Sequence, residues 1–332
     1  MFLLRSVRNS DLDGLRELSG LANFINLPPN IKMLKERIES SERSFKKPSS
    51  DLSKNNYFFV LEDLDKKKIA GVSMIHAQHG TEKEPHFYLK EGKERKYSET
   101  LRQGYIHGTL TLGLDHDGPT EIGGLVLHPE YRGKKLGKQL SLVRFLFLGM
   151  HPENFKETIH AELLPPFDDN GNSPLWEAIG RRFLNMDYSE ADELSRTNKE
   201  FILSLFPREK IYETLLSMDA RSAIGKVGKE TIPVKKMLEK IGFHYAEEVD
   251  PFDGGPHYKA KLKEISTIKN MFTGEISSCK DFSPTSANSV IITLPSDEGE
   301  FLATQINVNL KGDKIIPERE LEIGFKTSGI FI

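Results

Sequence analysis

The sequence contains a single cysteine and no long apolar run in its 332 residues. One thiol, Cys279, excludes an intrachain disulfide, and without a cluster of cysteines and histidines a structural zinc site is not favoured. A nucleophilic role for Cys279 is not favoured either, because Ser277–Asp281 is typical of a loop. No stretch approaches the ~20 apolar residues of a membrane helix, and Met1–Arg5 is too short for a signal peptide. We therefore expect a cytoplasmic protein that binds no metal.

Charge of one sign is also lacking. The chain has 46 Lys and Arg against 49 Asp and Glu, a net charge of −3. This balance gives no general attraction to nucleic acid or to an anionic membrane. With 37% hydrophobic and 29% charged residues, the composition is that of a soluble globular protein. We therefore expect a small molecule, rather than nucleic acid or a membrane, as the partner.

Strand and helix patterns alternate from Phe2 to about residue 265, after which only loops and strand patterns follow. In the last part, within the strand pattern at Phe301–Leu310, Ile306, Val308 and Leu310 alternate with Asn307 and Asn309, the period of a half-buried strand. The sequence therefore predicts an α+β domain over residues 1–265 and a small all-β subdomain over 266–332. Among the individual segments, the patterns predict a loop at Ser41–Asn56 and strands at Thr120–Leu127 and Thr158–Leu163. They predict helices at Ile211–Met218 and Ile232–Ile241. Residues 80–118 are left largely unassigned.

The strongest local pattern runs from Glu121 to Gly137, EIGGLVLHPEYRGKKLG. It reads as a strand, a short loop rich in glycine and basic residues, and an amphipathic helix. Such a loop points backbone N–H groups at an anion, and the helix dipole adds to the attraction. Gly133 and Gly137 permit a close approach of the backbone to a ligand. A pyrophosphate would suit this loop.

The spacing of the glycines narrows the choice of ligand. No serine or threonine follows a lysine as a P-loop requires, and the three glycines of a dinucleotide-binding fingerprint are absent. The loop resembles the acyl-CoA loop of GNAT acyltransferases, commonly Arg-Gly-x-Gly-x-Gly. Arg132, Gly133 and Gly137 match this pattern, and Lys135 stands at the middle glycine.

A wider resemblance covers the chain from its first strand to about residue 260. The chain is similar to the arginine N-succinyltransferase family in several unusual strings whose order is preserved. These are Tyr57–Asp63, Glu121–Leu127, Leu140–Phe147, Ala161-Glu162, Gly171–Trp176, Ile179-Gly180, Met186–Tyr188, Ala191-Asp192, Lys199–Ile202, Ile224-Gly225 and Phe252–Pro256.

The resemblance implies a GNAT fold, a mostly antiparallel mixed sheet flanked by helices, with an additional all-β C-terminal subdomain. It implies transfer of succinyl from succinyl-CoA to the α-amino group of arginine, and some relatives also use ornithine. It further suggests self-association. By analogy with GNAT enzymes, we predict that acyl-CoA is bound by ten residues: Leu125, Val126 and Leu127 through their backbone, then Arg132, Gly133, Lys134, Lys135, Leu136, Gly137 and Lys138.

Two positions depart from the family pattern. Where the family reads Ala-Glu-Met-Arg-Gly, this chain has Ala161–Pro165 with Leu164 in place of the arginine. Where the family reads Ile-Gly-x-Val-His, the chain has Ile224–Gly228 and ends on glycine. An arginine is a natural clamp for a carboxylate, and a histidine is a natural base. The succinyl group and arginine are therefore less firmly predicted than acyl transfer itself.

Direct transfer requires a group that receives the proton of the amine. Glu121, at the start of its strand, is the first candidate for the base or for holding the cationic part of the substrate. Glu162, at the end of the next strand, is the second. His160 shares a strand face with Glu162 because side chains alternate, and it is a weaker candidate.

For the substrate, the acidic loop before the helix at Ser173 offers Asp169 and Asn170, since carboxylates bind a guanidinium bidentately. Contacts from Ser173 and Asp253 are also predicted, although turn formation would explain the loop and the Asp253-Gly254-Gly255 run equally well. Two other functions remain open. The chain acts on a different amine or acyl donor, or it binds CoA or a metabolite without catalysis.

Overall fold

The computed structural model describes residues 1–20, 27, 30–168, 171–195 and 198–332. In chain order the strands are β1 (Phe2–Ser6), β2 (Asn56–Asp63), β3 (Lys68–His76), β4 (His86–Ser98), β5 (Gln103–Asp115), β6 (Thr120–Leu127), β7 (Thr158–Glu162), β8 (Ile211–Tyr212), β9 (His244–Val249), β10 (Pro256–Lys261), β11 (Phe272–Ile276), β12 (Asn288–Thr293), β13 (Leu302–Lys311), β14 (Lys314–Pro317) and β15 (Lys326–Phe331). The helices are α1 (Leu12–Gly20), α2 (Ile31–Lys46), α3 (Leu136–Met150), α4 (Pro174–Ala178), α5 (Gly180–Leu184), α6 (Tyr188–Ser195), α7 (Glu200–Leu205), α8 (Met218–Ala223), α9 (Ile232–Lys240) and α10 (Ser266–Lys269).

This mixture of helices and strands agrees with the predicted α+β class. The chain divides into two compact units. Unit 1 comprises residues 1–78, 119–159 and 261–332, and unit 2 comprises residues 79–118 and 160–260. No helix in the described part of the chain is long and apolar enough to cross a lipid bilayer.

Unit 1 is organised around antiparallel strands. β1 pairs with β2, β2 with β3, and β3 with β6. The amphipathic helices α1 and α2 bury their apolar stripes, including Leu15, Leu34 and Ile38, against Val60 and Val72 of the strands. Because β2 and β3 are buried along most of their length, they form a rigid support for β6.

The segment after residue 265 belongs to unit 1. Its strands β11 to β15 pair with one another and enclose a small apolar core that includes Val290 and Ile306. β13 also pairs with β1, where Ala303 lies opposite Leu4. The segment contains the short helix α10 as well as strands. Strand pairing thus joins the C-terminal segment to the N-terminal strand, and a separate subdomain after residue 265 stays a prediction.

Unit 2 is built on a long hairpin. β4 and β5 pair over thirteen positions, from His86 opposite Asp115 to Ser98 opposite Gln103. β9 pairs with β4 and with β10, and β8 adds to β5. The short helices α4 to α8 pack around Trp176, whose ring stacks on Phe252 with a centroid distance of 5.0 Å.

Candidate functional site

In unit 1 the predicted acyl-CoA loop is an exposed turn that leads into a long helix. We call residues 132–138 the basic loop. Gly133 has φ +79° and Lys135 φ +61°, so the chain passes through two left-handed residues before α3 begins. No side chain caps α3, and the first N–H groups of a helix have no partner within it. The loop therefore presents backbone donors at the positive end of a fifteen-residue helix.

The basic loop is open to a ligand. A Cβ built on Gly133 meets no atom within 4 Å, and one on Gly137 meets only a Leu127 methyl group at 3.8 Å. In the described part of the chain no acidic side chain pairs with Arg132, Lys134 or Lys135. The loop is thus open at both glycines, and three cations without an acidic partner in the described structure, Arg132, Lys134 and Lys135, belong to it. A diphosphate fits this arrangement.

The strand before the loop carries a β-bulge. In the pairing of β3 with β6, Val72 faces Val126 and Met74 faces Gly123, so β6 has one extra residue between these pairs. Gly124 lies in the bulge with φ +54°, and a Cβ there would come within 2.0 Å of Met74 Cε. Only glycine fits, and the bulge redirects the backbone of the following residues.

A buried arginine fixes the same bulge. Arg144 on α3 is 2% exposed, and its Nη1 donates to the carbonyl of Gly123 at 3.1 Å. Its Nε donates to the Ser141 carbonyl at 3.0 Å and its Nη2 to Ser141 Oγ at 2.6 Å. Burial lowers the pKa of Arg144 to about 9. The guanidinium therefore anchors the middle of α3 to the bulge of β6.

The other predicted residues of unit 1 lie on β6. Val126 is buried in the core, and Leu125 and Leu127 are half-buried, so their side chains serve packing while their backbone remains the part predicted to bind CoA. Glu121 is half-buried and lies opposite His76 on β3. Leu125 follows Glu121 by four positions, about 13 Å along a strand.

Unit 2 brings together three histidines and a carboxylate that are far apart in the sequence. We call His86, His160, His257 and Glu162 the histidine–glutamate cluster. One potential ligand atom from each lies within 4.8 Å of every other. His86 starts β4, His160 and Glu162 lie two residues apart on β7, and His257 lies on β10. Glu162 is exposed, whereas the three imidazoles are at most 1% exposed.

Distances within the cluster are short but are not hydrogen bonds. Nε2 of His257 is 3.7 Å and Nδ1 of His86 is 3.9 Å from Oε1 of Glu162. In the described structure five buried nitrogen atoms of the three histidines have no hydrogen-bond partner: Nε2 of His86 and both nitrogens of His160 and His257. A buried polar atom without a partner costs about 1–3 kcal/mol. The cluster is therefore an unusual accumulation of unsatisfied groups.

The electrostatics of the cluster keep the imidazoles neutral. Burial lowers the pKa of His86 and His160 well below the usual value, and it also lowers that of His257. Behind His257, Oε2 of Glu248 is 3.8 Å from Nδ1. Burial raises the pKa of Glu248, but His257 and the ammonium group of Lys259 outweigh it and lower the pKa to about 2. Neutral imidazoles beside ionised carboxylates form a cation-binding environment.

The predicted substrate residues in unit 2 have structural partners. Ser173 is fully buried, caps α4 by accepting from the Trp176 N–H at 3.1 Å, and donates to the Phe252 carbonyl at 2.9 Å. Asp253 is 7% exposed and accepts from the Gly255 N–H at 2.7 Å. Burial, together with the nearby Asp250, raises the pKa of Asp253 well above its usual value. Substrate contact by Ser173 and Asp253 stays a prediction. Asp169 and Asn170 lie outside the described residues.

The two positions that depart from the expected family pattern are neighbours in unit 2. The N–H of Gly228 donates to the carbonyl of Leu164 at 2.9 Å. A Cβ on Gly228 would lie 3.0 Å from the Pro165 carbonyl oxygen, so a larger residue there requires this segment to shift. The two replacements thus change one local surface.

Sequence reasoning missed Arg144, His86 and His257. Arg144 belongs to an amphipathic helix pattern, where an arginine reads as a surface residue. The histidines belong to three different strands, so no spacing connects them. The one available signal was the alternation of His160 and Glu162, which placed both on one face of β7.

Three comparisons with known proteins agree with one another. The family model described as "Arginine N-succinyltransferase beta subunit" matches residues 2–267. An arginine N-succinyltransferase of Photorhabdus laumondii subsp. laumondii is 37% identical over 275 residues, which cover 81% of this chain and 79% of the relative. One of Yersinia enterocolitica is 36% identical over 273 residues, with the same shares.

A solved structure has the same fold. The arginine/ornithine succinyltransferase subunit AI from Pseudomonas aeruginosa superposes with a TM-score of 0.86 over 100% of this chain and 98% of its own, at 24% sequence identity. This likeness extends through the C-terminal segment, beyond the residues that the family model matches.

Proposed function

The chain belongs to the arginine N-succinyltransferase family, and from that premise we propose that this acyltransferase moves a succinyl group from succinyl-CoA to the α-amino group of arginine. The observation that carries the proposal is the basic loop, an open turn with backbone donors and three cations at the start of α3. It supports docking of the CoA diphosphate, because helix N-termini bind phosphate groups through backbone N–H groups and the dipole. The bulge of β6 and the loop that follows it support a GNAT-type arrangement of this part of unit 1.

The chemistry is a direct transfer between two bound substrates. The lone pair of the neutral α-amine attacks the thioester carbonyl carbon, a C–N bond forms, and the C–S bond breaks. The amine loses one proton and the CoA sulfur leaves as a thiolate that takes up a proton. The backbone of Leu125–Leu127, redirected by the bulge, is proposed to hold the pantetheine and thioester, and Arg144 positions that backbone through the Gly123 carbonyl.

For the proton of the amine we propose Glu121 as the acceptor. It is half-buried near the start of β6, and its strand is held in register by β3 and by the bulge. A carboxylate at a fixed position can accept a proton directly or through one water molecule. Glu162, the second predicted catalytic carboxylate, lies in the histidine–glutamate cluster.

A second candidate function is transfer of another acyl group, or transfer to another amine such as ornithine. It is favoured by the contact between Gly228 and Leu164, because the arginine and histidine expected there are replaced together. Loss of a cationic side chain removes a binding partner for a carboxylate, and the succinyl group and an amino acid both carry a carboxylate. Self-association, which the family resemblance suggests, is proposed as well and is measured by light scattering after gel filtration.

The test is incubation of the purified protein with succinyl-CoA, acetyl-CoA and other acyl-CoAs, each paired with arginine, ornithine and further amino acids. Release of the CoA thiol and the mass of the product are followed together. We expect succinyl-arginine as the main product. Turnover with a different pair supports the second function, and CoA binding without turnover with any pair contradicts both.

The site is tested by Gly137→Trp. A Cβ at this position makes only an ordinary contact with a Leu127 methyl group at 3.8 Å, and we expect the indole beyond it to cover the N–H groups of the basic loop. We expect CoA affinity to fall by more than about 100-fold, since the diphosphate loses its docking surface. The matched control is Lys32→Trp on the exposed face of α2 in the same unit. Unchanged CoA affinity in Gly137→Trp would rule out the loop assignment.

A further inference from the structure

We propose that the histidine–glutamate cluster of unit 2 is a binding site for a divalent transition-metal ion, with zinc as the best fit. Three imidazoles and one carboxylate form the kind of ligand set that binds Zn²⁺ with four protein groups. The names of the relatives imply no metal, and the sequence alone predicted none. This inference rests on the geometry of unit 2 and does not depend on succinyl transfer.

The distances in the cluster suit a small ion. Around Zn²⁺ the histidine nitrogens and carboxylate oxygens lie at about 2.0–2.2 Å, so two tetrahedral ligand atoms are about 3.4 Å apart. The ligand atoms of the cluster already lie within 4.8 Å of one another, and two of them are 3.7 and 3.9 Å from Glu162 Oε1. Bringing the most distant ligand atoms from 4.8 Å to about 3.4 Å closes a gap of about 1.4 Å, which we expect side-chain rotation to achieve without movement of the strands.

The second observation is the set of buried nitrogen atoms without hydrogen-bond partners. Neither ring nitrogen of His160 or of His257 has one in the described structure, and Nε2 of His86 has none. A metal ion would satisfy one nitrogen of His160 and one of His257, whereas on His86 the atom near Glu162 is Nδ1 rather than the unpartnered Nε2.

The third observation is a second carboxylate, Glu248, next to the proposed ligand His257. If Nε2 of His257 binds the metal, its Nδ1 faces Oε2 of Glu248 at 3.8 Å. Carboxylates in this position orient a metal-bound histidine and make it a stronger ligand. Lys259 forms an ion pair with the same Glu248, which holds the carboxylate in place. Glu162 and Glu248 therefore both lie beside the cluster, and the ammonium group of Lys259 is already paired.

The site is of the structural type. Four protein ligands fill a tetrahedral zinc site and leave no position for substrate. The ligands come from β4, β7 and β10, so the ion would link three segments of unit 2 that are distant in sequence. Glu162 is the exposed member and gives the ion a path from solvent. In this role Glu162 is a ligand and is not the base.

The experiment measures binding of Zn²⁺ and Co²⁺ to the full chain after chelator treatment and dialysis. Titration followed by elemental analysis is expected to give one ion per chain, and Co²⁺ is expected to show the intense visible absorption of a four-coordinate site. Zn²⁺ should also raise the temperature of thermal unfolding, because an ion that binds only the folded state stabilises it.

Three variants locate the site. We expect Glu162→Gln and His257→Gln to lower Zn²⁺ affinity by more than about tenfold, since even outer partners of metal ligands have effects of that size. His107→Gln is the matched control, because His107 lies on β5 of the same unit and bonds Thr214 instead. Should His257→Gln fail to fold, Glu162→Gln decides, since Glu162 is at the surface. The proposal is overturned if the wild-type chain binds neither ion, or if both cluster variants bind zinc as the wild type does.

Discussion

At the scale of single residues, Lys135 shows how a departure from a motif is accommodated. It occupies the position where the expected loop pattern has its middle glycine, and its backbone has φ +61° and ψ +9°. The glycine is usual there because this conformation costs other residues about 1–2 kcal/mol. The loop geometry is thus kept, and the lysine adds a charge next to the N–H groups at the expense of stability.

Lys135→Gly should therefore change both the stability of the protein and its affinity for CoA. Relief of the left-handed strain, partly offset by the greater freedom of glycine in the unfolded chain, should raise the free energy of unfolding by about 0.5–1 kcal/mol. CoA affinity should fall, because one cation near the diphosphate is lost. Chemical denaturation and CoA titration measure the two effects. Lys134→Gly is the control, since Lys134 is a neighbouring exposed lysine without positive φ. Equal stability changes in the two variants would refute the strain argument.

At the scale of elements, β6 shows why a strand can carry both packing and a ligand. Its register with β3 is interrupted once, at Gly124, and Arg144 of α3 donates to the carbonyl of Gly123 next to it. The strand, the bulge and the helix therefore form one connected unit around the basic loop. A change at the bulge should affect both stability and catalysis.

We therefore predict that Gly124→Ala lowers the free energy of unfolding by about 2 kcal/mol or more. The added Cβ would overlap Met74 and force a non-glycine residue into φ +54°. Gly137→Ala is the control for stability, because its Cβ makes only an ordinary contact at 3.8 Å and alanine favours helix. Denaturant unfolding of both variants checks this, with kcat and KM for succinyl transfer as a second readout. If Gly124→Ala were as stable as the wild type, the bulge would not be needed by the fold.

The same scale shows what the sequence could and could not predict. The helix predicted at Ile232–Ile241 is confirmed, because its apolar period is set within the segment. The helix predicted at Ile211–Met218 is wrong, since Ile211-Tyr212 pairs with β5 and tertiary pairing overrides the local pattern. The loop predicted from Ser41 is partly wrong, because α2 continues to Lys46 and buries its serines. The basic loop was predictable since its chemistry lies in consecutive residues.

At the scale of the whole molecule, the C-terminal segment illustrates what composition alone cannot determine. Its change of character after residue 265 suggested a separate subdomain, and its own small core supports local folding. However, β13 also extends the sheet at β1, and Phe301 packs its ring against Phe59 and Phe147 at centroid distances of 5.5 and 5.4 Å. These contacts cover the edge of β1 and the aromatic core of unit 1.

The segment after residue 270 should therefore remain bound even when the chain is cut. A site-specific protease sequence inserted after the exposed Asn270 allows cleavage between α10 and β11. We expect both fragments to elute together in gel filtration and to separate only in denaturant, because strand pairing and the buried Phe301 hold them together. The uncleaved insertion variant controls for the insertion itself. If the two fragments instead separate under native conditions and each remains folded, the segment is an independent subdomain, as the predicted boundary at residue 265 requires.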